Sequence, residues 1–445
     1  MSSSAASPTP SAIAIVPLPT EARLNAMVRP PGSKSITNRA LVCAALAEGD
    51  SLLHGALDSD DTRVMVDSLQ RLGLEVQQDL AAATIAVAGC GGRWPRRQAD
   101  LFVGNSGTTI RFLTAMLAIG DGEYRLDGVA RMRERPIGDL IDALRSLGVD
   151  ARSETGNGCP PVVMRAAGLP GGRTHVRGDI SSQFLSGLLL AAPYARRDLE
   201  IVVDGVLVSR PYVTMTLRVM EAFGVSVEAP ELERFLIPAA TRYGERKYVG
   251  RGYEVEPDAS AASYFWAAAA IAGGRVLVRG LSRDALQGDV RFVDCLERMG
   301  CDVEHSADGI AVTGGPLRGI DVDMNAISDT VQTLGAVALF AAGPTTITGV
   351  AHIRHKETDR IGDLARELRK LGAEVEEFAD GLRIIPGKLH GAEIDTYDDH
   401  RMAMSLALPG LRVPGVVIRN PQCTAKTYPG FFHDLERLRP ANGPA

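Results

Sequence analysis

The sequence predicts two inside-out α/β barrel domains, each of three βαβαββ-like repeats, with buried helix bundles surrounded by sheets and amphipathic helices. Three observations predict this fold. The chain has 445 residues, which is more than one ordinary domain accommodates. One kind of segment recurs six times along the chain. Each recurrence joins an apolar helix to an amphipathic helix, so the two helices differ in how much of their surface can meet water.

The first helix of each repeat is apolar nearly all round. The copies begin 71, 75, 79, 68 and 71 residues apart, at Ser35, Ser106, Ser181, Ser260, Ser328 and Asp399. Each Ala/Leu-rich run stops at Gly or Pro, and a short strand-like stretch follows. Because a helix without a polar face is stable only when it is enclosed, these segments predict helices inside the fold.

The second helix of each repeat carries apolar residues on one side and charges on the other. Examples are TRVMVDSLQRLG, IGDLIDALRSLG and IGDLARELRKLG, with a shortened sixth copy, FFHDLERLRP. This periodicity predicts surface helices, and the short strands would form sheets between the two kinds of helix. A solenoid of stacked repeats is the competing architecture, which the unequal exposure of the two helices disfavours.

Three repeats per domain place a break near Glu256-Pro257-Asp258. We expect one domain at residues 33–256 and the other at residues 1–32 together with 257–445. The stretch IAIVPLPT, residues 13–20, should pair with the second half, because the chain must cross between the domains before the first repeat. Residues 1–10, MSSSAASPTP, predict a disordered tail.

The composition excludes several classes of partner. A formal net charge of −6 argues against nucleic acid, which requires a broad positive surface. No apolar run approaches the roughly 18 residues of a membrane helix, and the six cysteines form no C-x-x-C pair and no zinc-like spacing. The stretch PGSKSITNR lacks the glycine spacing of a nucleotide phosphate loop. We therefore expect a cytoplasmic protein without a metal or cofactor. We also expect a monomer.

Chemistry is predicted where helices begin, because helix N-termini present free N–H groups and a positive dipole end to anions. The starts of the buried helices with polar side chains are Lys34-Ser35, Asn105-Ser106-Gly107-Thr108, Ser181-Ser182-Gln183, Ser328-Asp329 and Asp399-His400-Arg401. We expect helix capping to explain Ser260 and Thr109. Capping does not explain Lys34, Arg39 or Arg401.

The second helices begin in runs rich in cations. These runs are RMRER from Arg131, VSRPY with Ser209, RHKETDR from Arg354 and CTAKTYPG with Lys426. A charged run is usually a solvated face, but its position directly before a helix favours a shared cleft. Several cations around Asp329 and Glu357 predict a site for two anionic substrates with acid and base groups.

Seven of these motifs, in this order, resemble the 5-enolpyruvylshikimate-3-phosphate synthase family: PGSKSITNRALVCAALAEG, GNSGTTIRFLTA, RMRERPIGDL, ISSQFLSGLLLAAP, RHKETDRI, YDDHRMAMSLAL and CTAKTYPGFF. The resemblance covers nearly the whole chain. It implies two inside-out α/β domains hinged around a cleft. It also implies transfer of the enolpyruvyl group of phosphoenolpyruvate to the 5-hydroxyl of shikimate 3-phosphate, on the route to chorismate and the aromatic amino acids.

The resemblance also implies roles for individual residues. Shikimate 3-phosphate would contact Lys34, Ser35, Arg39, Ser181, Ser182, Gln183, Ser209, Asp329, His352 and Lys356. Phosphoenolpyruvate would contact Lys34, Gly107, Arg131, Gln183, Arg360, Arg401 and Lys426. Asp329 would accept the proton of the 5-hydroxyl, Glu357 would protonate the methylene carbon, and Lys34 would stabilise the departing phosphate.

Two details qualify these assignments. His352 stands where many family members have Asn as a substrate contact. Lys356 and Arg360 lie beside Glu357 in the sequence and should lower its pKa, which opposes the acid form that the proposed role requires. Desolvation of the site would act in the opposite direction.

Two alternatives remain. The related enolpyruvyl transferase that acts on UDP-N-acetylglucosamine shares the fold, but it typically carries a reactive Cys in the loop that here reads GVARMRERP. A non-catalytic repeat scaffold that binds proteins would scatter its functional residues over outer helix faces. Here the unusual charges gather at the starts of helices.

Overall fold

The structure is a computed structural model that describes residues 11–239 and 247–439. Its helices alternate along the chain with short strands. In these ranges the helices are α1 Lys34–Leu46, α2 Asp60–Arg71, α3 Gly107–Leu117, α4 Gly138–Ser146, α5 Ser182–Ala191, α6 Arg210–Ala222, α7 Ala259–Ala272, α8 Phe292–Met299, α9 Val331–Ala338, α10 Gly362–Lys370, α11 His400–Ala407 and α12 Phe431–Arg437. The predicted tail, residues 1–10, lies outside the described residues.

The odd-numbered helices are the buried ones, as the sequence predicts. Every residue of α1, α3, α7, α9 and α11 is buried, and α5 is buried except for Gln183. The even-numbered helices bury one side and expose charged residues on the other. The inverted architecture is therefore confirmed, and the solenoid is wrong.

Short strands lie between the two kinds of helix. They are β1 Ala12–Ala14, β2 Leu24–Val28, β3 Asp50–His54, β4 Val76–Asp79, β5 Thr84–Ala88, β6 Gln98–Phe102, β7 Asp121–Asp127, β8 Asp150–Ser153, β9 Val162–Ala167, β10 Gly172–Arg177, β11 Leu199–Asp204, β12 Arg234–Ile237, β13 Gly252–Glu254, β14 Gly274–Arg279, β15 Asp302–His305, β16 Gly309–Gly314, β17 Asp321–Asp323, β18 Thr345–Thr348, β19 Glu374–Phe378, β20 Gly381–Ile385, β21 Glu393–Ile394 and β22 Val417–Arg419.

Within the described ranges these strands form one small sheet per repeat. The strands on either side of a buried helix pair in parallel, as β6 with β7 and β17 with β18 do. The two strands that follow the outer helix then join the sheet in antiparallel orientation. A typical sheet therefore has the order β6-β7-β9-β8. In the sheet of the sixth repeat, β1 from the N-terminal stretch pairs antiparallel with β22. The predicted pairing of residues 13–20 with the second half is thus confirmed at Ile13 and Ala14.

The chain crosses between its halves twice. Strand β2, which precedes α1, pairs in parallel with β14, which follows α7. Strand β13, which precedes α7, pairs in parallel with β3, which follows α1. The two crossing segments run side by side, since the N–H of Ser33 donates to the carbonyl of Glu256 over 2.8 Å and that of Asp258 donates to Pro31 over 2.9 Å.

The buried apolar side chains form two clusters. One draws on residues 36–255, and the other on residues 15–24 and 259–438. We propose on this basis that the domains divide where the sequence places them, at residues 33–256 and the remainder. Among the described residues no helix is both long and apolar enough to cross a membrane.

Two predicted helix caps are wrong. Asp258, not Ser260, caps α7, because the Asp258 carboxylate accepts from the N–H of Ala261 over 2.9 Å. Ser106, not Thr109, caps α3. In both cases the acceptor lies before the first helical residue, where the backbone is still extended and the side chain can reach back to a free N–H. Ser260 is thereby left free to donate to a buried carboxylate elsewhere.

Candidate active site

A small cleft lies where helices of the two halves meet. Its lining is Lys34, Gly107, Thr108, Arg135, Gln183, Asp329, Lys356, Glu357, Arg360 and Arg401. Most of these residues stand at or just before a helix start, as the sequence predicts. The space therefore brings five cations against two carboxylates.

Asp329 lies among the cations of the second half. Its carboxylate accepts from Arg401 Nη2 over 2.7 Å and from Arg360 Nη1 over 3.1 Å, and Lys356 Nζ lies 4.0 Å away. Burial acts to raise the pKa of Asp329, but Arg401, Lys356 and Arg360 outweigh burial and hold the pKa well below its usual range. Asp329 is therefore ionised at rest and able to accept a proton.

Glu357 has cations from both halves around it. It accepts from Arg360 over 2.8 Å, and Arg135 and Lys426 lie 3.7 and 3.6 Å from its Oε1. Burial again acts to raise the pKa, but Arg360, Arg135 and Lys426 hold the pKa of Glu357 well below its usual range. The lowered pKa agrees with the direction that the sequence predicts, and Arg135 and Lys426, which the sequence does not single out, join Arg360 as its main causes.

Arg360 connects three carboxylates. Its Nε donates to Asp399 over 2.7 Å, its Nη1 to Asp329 and its Nη2 to Glu357, and the side chain is 2% exposed. Asp399 caps α11 as well, by accepting from the N–H of Arg401 over 2.8 Å. The sequence shows Asp399 only as a helix start, so this second contact is missed.

The two halves are also joined by charged groups at the mouth of α1. Lys426 donates to Asp61 over 2.8 Å and to the carbonyl of Asn105 over 2.7 Å. Lys34 lies 3.3 Å from the other oxygen of Asp61. Asp61 belongs to the first turn of α2, where an acidic residue is an ordinary feature of a helix start. Nothing in the sequence separates it from such a residue.

A hydroxyl cluster lies beside the cavity. His352 Nε2 lies 3.1 Å from Ser209 Oγ and 3.0 Å from Ser328 Oγ. Ser209 has a left-handed backbone, with φ of 53°, and its N–H donates to Asn325 over 2.9 Å. Burial and Lys356 lower the pKa of His352 to about 3, so this ring is neutral at ordinary pH.

Several predicted contacts stand outside the lining of this space. They are Ser35, Arg39, Arg131, Ser181, Ser182, Ser209, His352 and Lys426. Arg39 is turned into its own half, where it donates to Thr216 over 2.8 Å and to the carbonyl of Ser35 over 2.8 Å. Burial lowers the pKa of Arg39 to about 10.

Arg135 lines this space and Arg131 does not, although the resemblance implies Arg131 as the contact of phosphoenolpyruvate. Arg131 donates to the backbone carbonyls of Glu357 and Lys356, over 3.0 and 3.1 Å, and does not line the space. Arg135 lines it and is 3% exposed. A Cβ on Gly107 would stand 2.4 Å from Arg135 Nη2, so any larger residue at this position would displace the Arg135 guanidinium. The run RMRER contains both arginines, and its spacing alone does not separate them.

No group of three or more His, Cys, Asp or Glu residues in residues 11–239 and 247–439 could hold a metal ion. The six cysteines, all within these ranges, are free thiols. The groups that converge on the space are thus cations, hydroxyls, helix N-termini and two carboxylates.

The fold and this space define a two-domain α/β enzyme that acts on small, multiply charged anions. The family model described as EPSP synthase (3-phosphoshikimate 1-carboxyvinyltransferase) matches residues 18–435. The chain belongs to the EPSP synthase family.

Relatives agree along most of the chain. A protein of Nostoc punctiforme named 3-phosphoshikimate 1-carboxyvinyltransferase is 51% identical over 410 residues, which are 92% of this chain and 95% of the relative. A chloroplastic protein of the same name from Arabidopsis thaliana is 48% identical over 433 residues, 93% of this chain and 82% of the relative. The solved EPSP synthase of Acinetobacter baumannii superposes with a TM-score of 0.78 at 27% identity, covering 96% of this chain and 98% of that one.

Proposed function

We infer that this chain transfers the enolpyruvyl group of phosphoenolpyruvate to the 5-hydroxyl of shikimate 3-phosphate and releases phosphate, in the shikimate pathway. The observation that carries this conclusion is the family match over residues 18–435. The site supports it, because a base and an acid stand among cations that suit two phosphorylated carboxylic acids.

The proposed chemistry is an addition followed by an elimination. Asp329 takes the proton of the 5-hydroxyl as O5 bonds to C2 of phosphoenolpyruvate, and Glu357 gives a proton to C3. In the resulting tetrahedral intermediate, Glu357 removes a proton from C3 while the C2–O bond to phosphate breaks. Lys34 and the arginines stabilise the departing phosphate.

Glu357 must carry a proton before it can give one. Its carboxylate is held ionised by Arg360, Arg135 and Lys426. The carboxylate and phosphate groups of phosphoenolpyruvate would engage these same cations, so substrate binding raises the pKa of Glu357. The acid form is therefore expected in the complex with substrate rather than at rest.

We propose two adjoining subsites. Phosphoenolpyruvate would lie among Lys34, Gly107, Arg135, Gln183, Arg360, Arg401 and Lys426. Shikimate 3-phosphate would extend from Lys34, Asp329 and Lys356 toward Ser35, Arg39, Ser181, Ser182, Gln183, Ser209 and His352. Serine hydroxyls and helix N–H groups are suited to a phosphate monoester. We also propose that the protein is cytoplasmic and that it is a monomer. Sedimentation equilibrium would test the oligomeric state.

The direct test is an assay of the purified chain. Phosphate release with shikimate 3-phosphate and phosphoenolpyruvate together, and with neither alone, is the expected result. The control replaces shikimate 3-phosphate by UDP-N-acetylglucosamine. Phosphate release from phosphoenolpyruvate with the nucleotide sugar, and none with shikimate 3-phosphate, would overturn the proposal in favour of the related transferase.

Arg135 should matter more than Arg131 for binding phosphoenolpyruvate. Loss of a buried, charged hydrogen-bonding group costs about 1.5–3 kcal/mol, so R135Q should raise KM for phosphoenolpyruvate about 10- to 100-fold. Arg131 holds backbone carbonyls at a half-exposed position, so R131Q should raise the same KM at most about tenfold. Steady-state kinetics on the two variants decide, and a larger effect of R131Q would reverse the assignment.

Binding of shikimate 3-phosphate should weaken above about pH 8. Burial is the main cause that lowers the pKa of Lys356, to about 8, against the opposing pull of Asp329. The ammonium is therefore present below that pH and is lost as pH rises, in a range where an ordinary Lys stays charged. The phosphate ester is already a dianion there and does not itself titrate.

Titration calorimetry from pH 7 to 10 is the measurement. Kd should rise up to about tenfold per pH unit above pH 8. K356R, whose guanidinium stays charged, should flatten the dependence, and K388R at an exposed lysine should leave it unchanged. A flat profile in the unaltered chain would contradict the role of Lys356.

A further inference from the structure

Asp289 is a buried carboxylate that the proposed chemistry leaves unused. It lies in the 3-10 turn Gly288–Arg291 before α8, is 0% exposed, and its Oδ1 has no hydrogen-bond partner among the described residues. Its Oδ2 accepts from the hydroxyl of Tyr212 over 2.7 Å and from that of Ser260. A carboxylate buried with one oxygen unpaired costs free energy, so its position calls for a reason.

Tyr212 links this carboxylate to Asp329. The single Tyr212 hydroxyl lies 2.7 Å from Asp289 Oδ2 and 3.3 Å from Asp329 Oδ2. Tyr212 belongs to α6 of the first half, whereas both carboxylates belong to the second half. A hydroxyl can accept a proton from one neighbour while it donates its own to another.

We propose that Asp289 is the store for the proton that Asp329 takes from the 5-hydroxyl, and that Tyr212 passes the proton between the two carboxylates. This inference rests on the proposed function. Asp289 and Tyr212 are positioning residues in it, and Asp329 alone touches the reacting hydroxyl.

The proton balance is complete at each step. As O5 bonds to C2, its proton passes to Asp329. Asp329 then gives that proton to the oxygen of Tyr212 while Tyr212 gives its own to Asp289, so Asp329 is ionised again. When the C2–O bond breaks, the transfer runs in reverse, and Asp329 delivers the proton to an oxygen of the departing phosphate.

The direction of transfer agrees with the electrostatics around the pair. The charged and titratable groups that face Asp289 are Asp329, Tyr212 and Arg401, with Ser260 as a neutral donor. Burial, and then the Asp329 charge, raise the pKa of Asp289 to about 6, whereas that of Asp329 is held well below its usual range. Burial raises the pKa of Tyr212 well above 10, so its hydroxyl stays protonated and serves as a bridge.

Removal of either partner should lower kcat and leave substrate binding in place. D289N has no acceptor for the proton, and Y212F has no bridge, so each should lower kcat about 10- to 100-fold with KM for both substrates within about threefold. The double variant should be no slower than the slower single variant, because both changes interrupt one path. Thermal unfolding of each variant checks that the chain still folds.

The pH profile separates proton storage from a structural role. In the unaltered chain kcat should fall on the acid side at a pH above that at which an ordinary Asp titrates, because the pKa of Asp289 is raised and a protonated Asp289 can no longer accept. The Ser260 hydroxyl stabilises the Asp289 carboxylate, so S260A should move that limb to higher pH while keeping the Tyr212 bridge. D289N should lose the limb.

Two outcomes overturn the proposal: kcat of D289N within about twofold of the unaltered chain, or an acid limb that S260A does not move. If D289N fails to fold, Y212F and S260A still decide. In each case turnover by the unaltered chain, measured in the same assay, reports separately on the proposed function.

Discussion

Asn in place of Asp329 is expected to lower kcat by about a hundredfold to ten-thousandfold, which is the range for loss of a general base. The 5-hydroxyl would then have no ionised carboxylate to receive its proton, and an amide does not substitute. Phosphate release in the steady state measures the loss. A single-turnover experiment with both substrates bound separates it from slow product release.

Binding should survive the same change. Arg401, Arg360 and Lys356 currently share the Asp329 charge. Without that charge the cavity is more positive, so the affinity for both anionic substrates should stay equal or increase. Calorimetry on D329N tests this, and D321N, at an exposed position on β17, is the matched control. Retained turnover, or lost binding with the fold intact, would contradict the role of Asp329.

The resting site uses its own carboxylates where substrate anions are expected to bind. Asp329 and Glu357 pair with Arg401, Arg360 and Lys356, and Asp61 pairs with both Lys34 and Lys426. An arriving phosphate or carboxylate competes for these cations. Competition releases the acid and base groups from their ion pairs, so one set of arginines can both bind the substrates and adjust the pKa values of the catalytic carboxylates.

The sequence predicts the fold because the repeats carry the pattern in local form. A helix such as α7, ASAASYFWAAAAIA, has no polar face, and its burial follows from composition alone. The exchange of β2 and β13 between the halves, unlike the burial of a helix, does not follow from local composition. The paired residues are 200 apart for β13 with β3 and 250 apart for β2 with β14, and only the location of the break suggests such a crossing.

The site is predicted in part for the same reason. Lys34, Gly107, Gln183 and Arg401 stand at starts of buried helices, and helix starts that recur in register gather at one end of a bundle. The site residues that the sequence does not predict contribute to the site through contacts with residues distant in sequence.

Each missed residue looks ordinary in its own segment. Asp61 reads as an acidic first turn, Asp399 as a cap, and Asp289 and Tyr212 as parts of surface helix starts. Their roles come from partners in other repeats, such as Lys426 for Asp61, 365 residues away. Local periodicity carries no information about those pairings.

Replacement of Arg360 should destabilise the chain strongly. Its guanidinium is buried between Asp399, Glu357 and Asp329, and R360Q would leave three carboxylates without their shared cation. Removal of one partner from a buried ion pair costs about 3–5 kcal/mol. For domains of this size, that loss lowers Tm by roughly 10 °C.

The loss of unfolding free energy in R360Q should become smaller as the pH falls. The folded-state pKa values of Asp329 and Glu357 lie below their ordinary values of 3.8 and 4.5, so these groups stabilise the fold above those values and lose that contribution in acid. The difference in unfolding free energy between R360Q and the unaltered chain should therefore be largest near pH 7 and shrink below about pH 4. Urea unfolding at both pH values measures it.

Arg354 provides the matched control, because it pairs with Asp359 and Glu377 at a partly exposed site in the same segment. Exposed ion pairs contribute about 0–1 kcal/mol, so R354Q should lower the unfolding free energy by less than R360Q does, and by little more at one pH than at the other. Equal losses for R354Q and R360Q would show that the buried network adds nothing beyond surface pairing. A loss confined to R360Q that shrinks in acid would tie stability to the same carboxylates that carry the proposed chemistry.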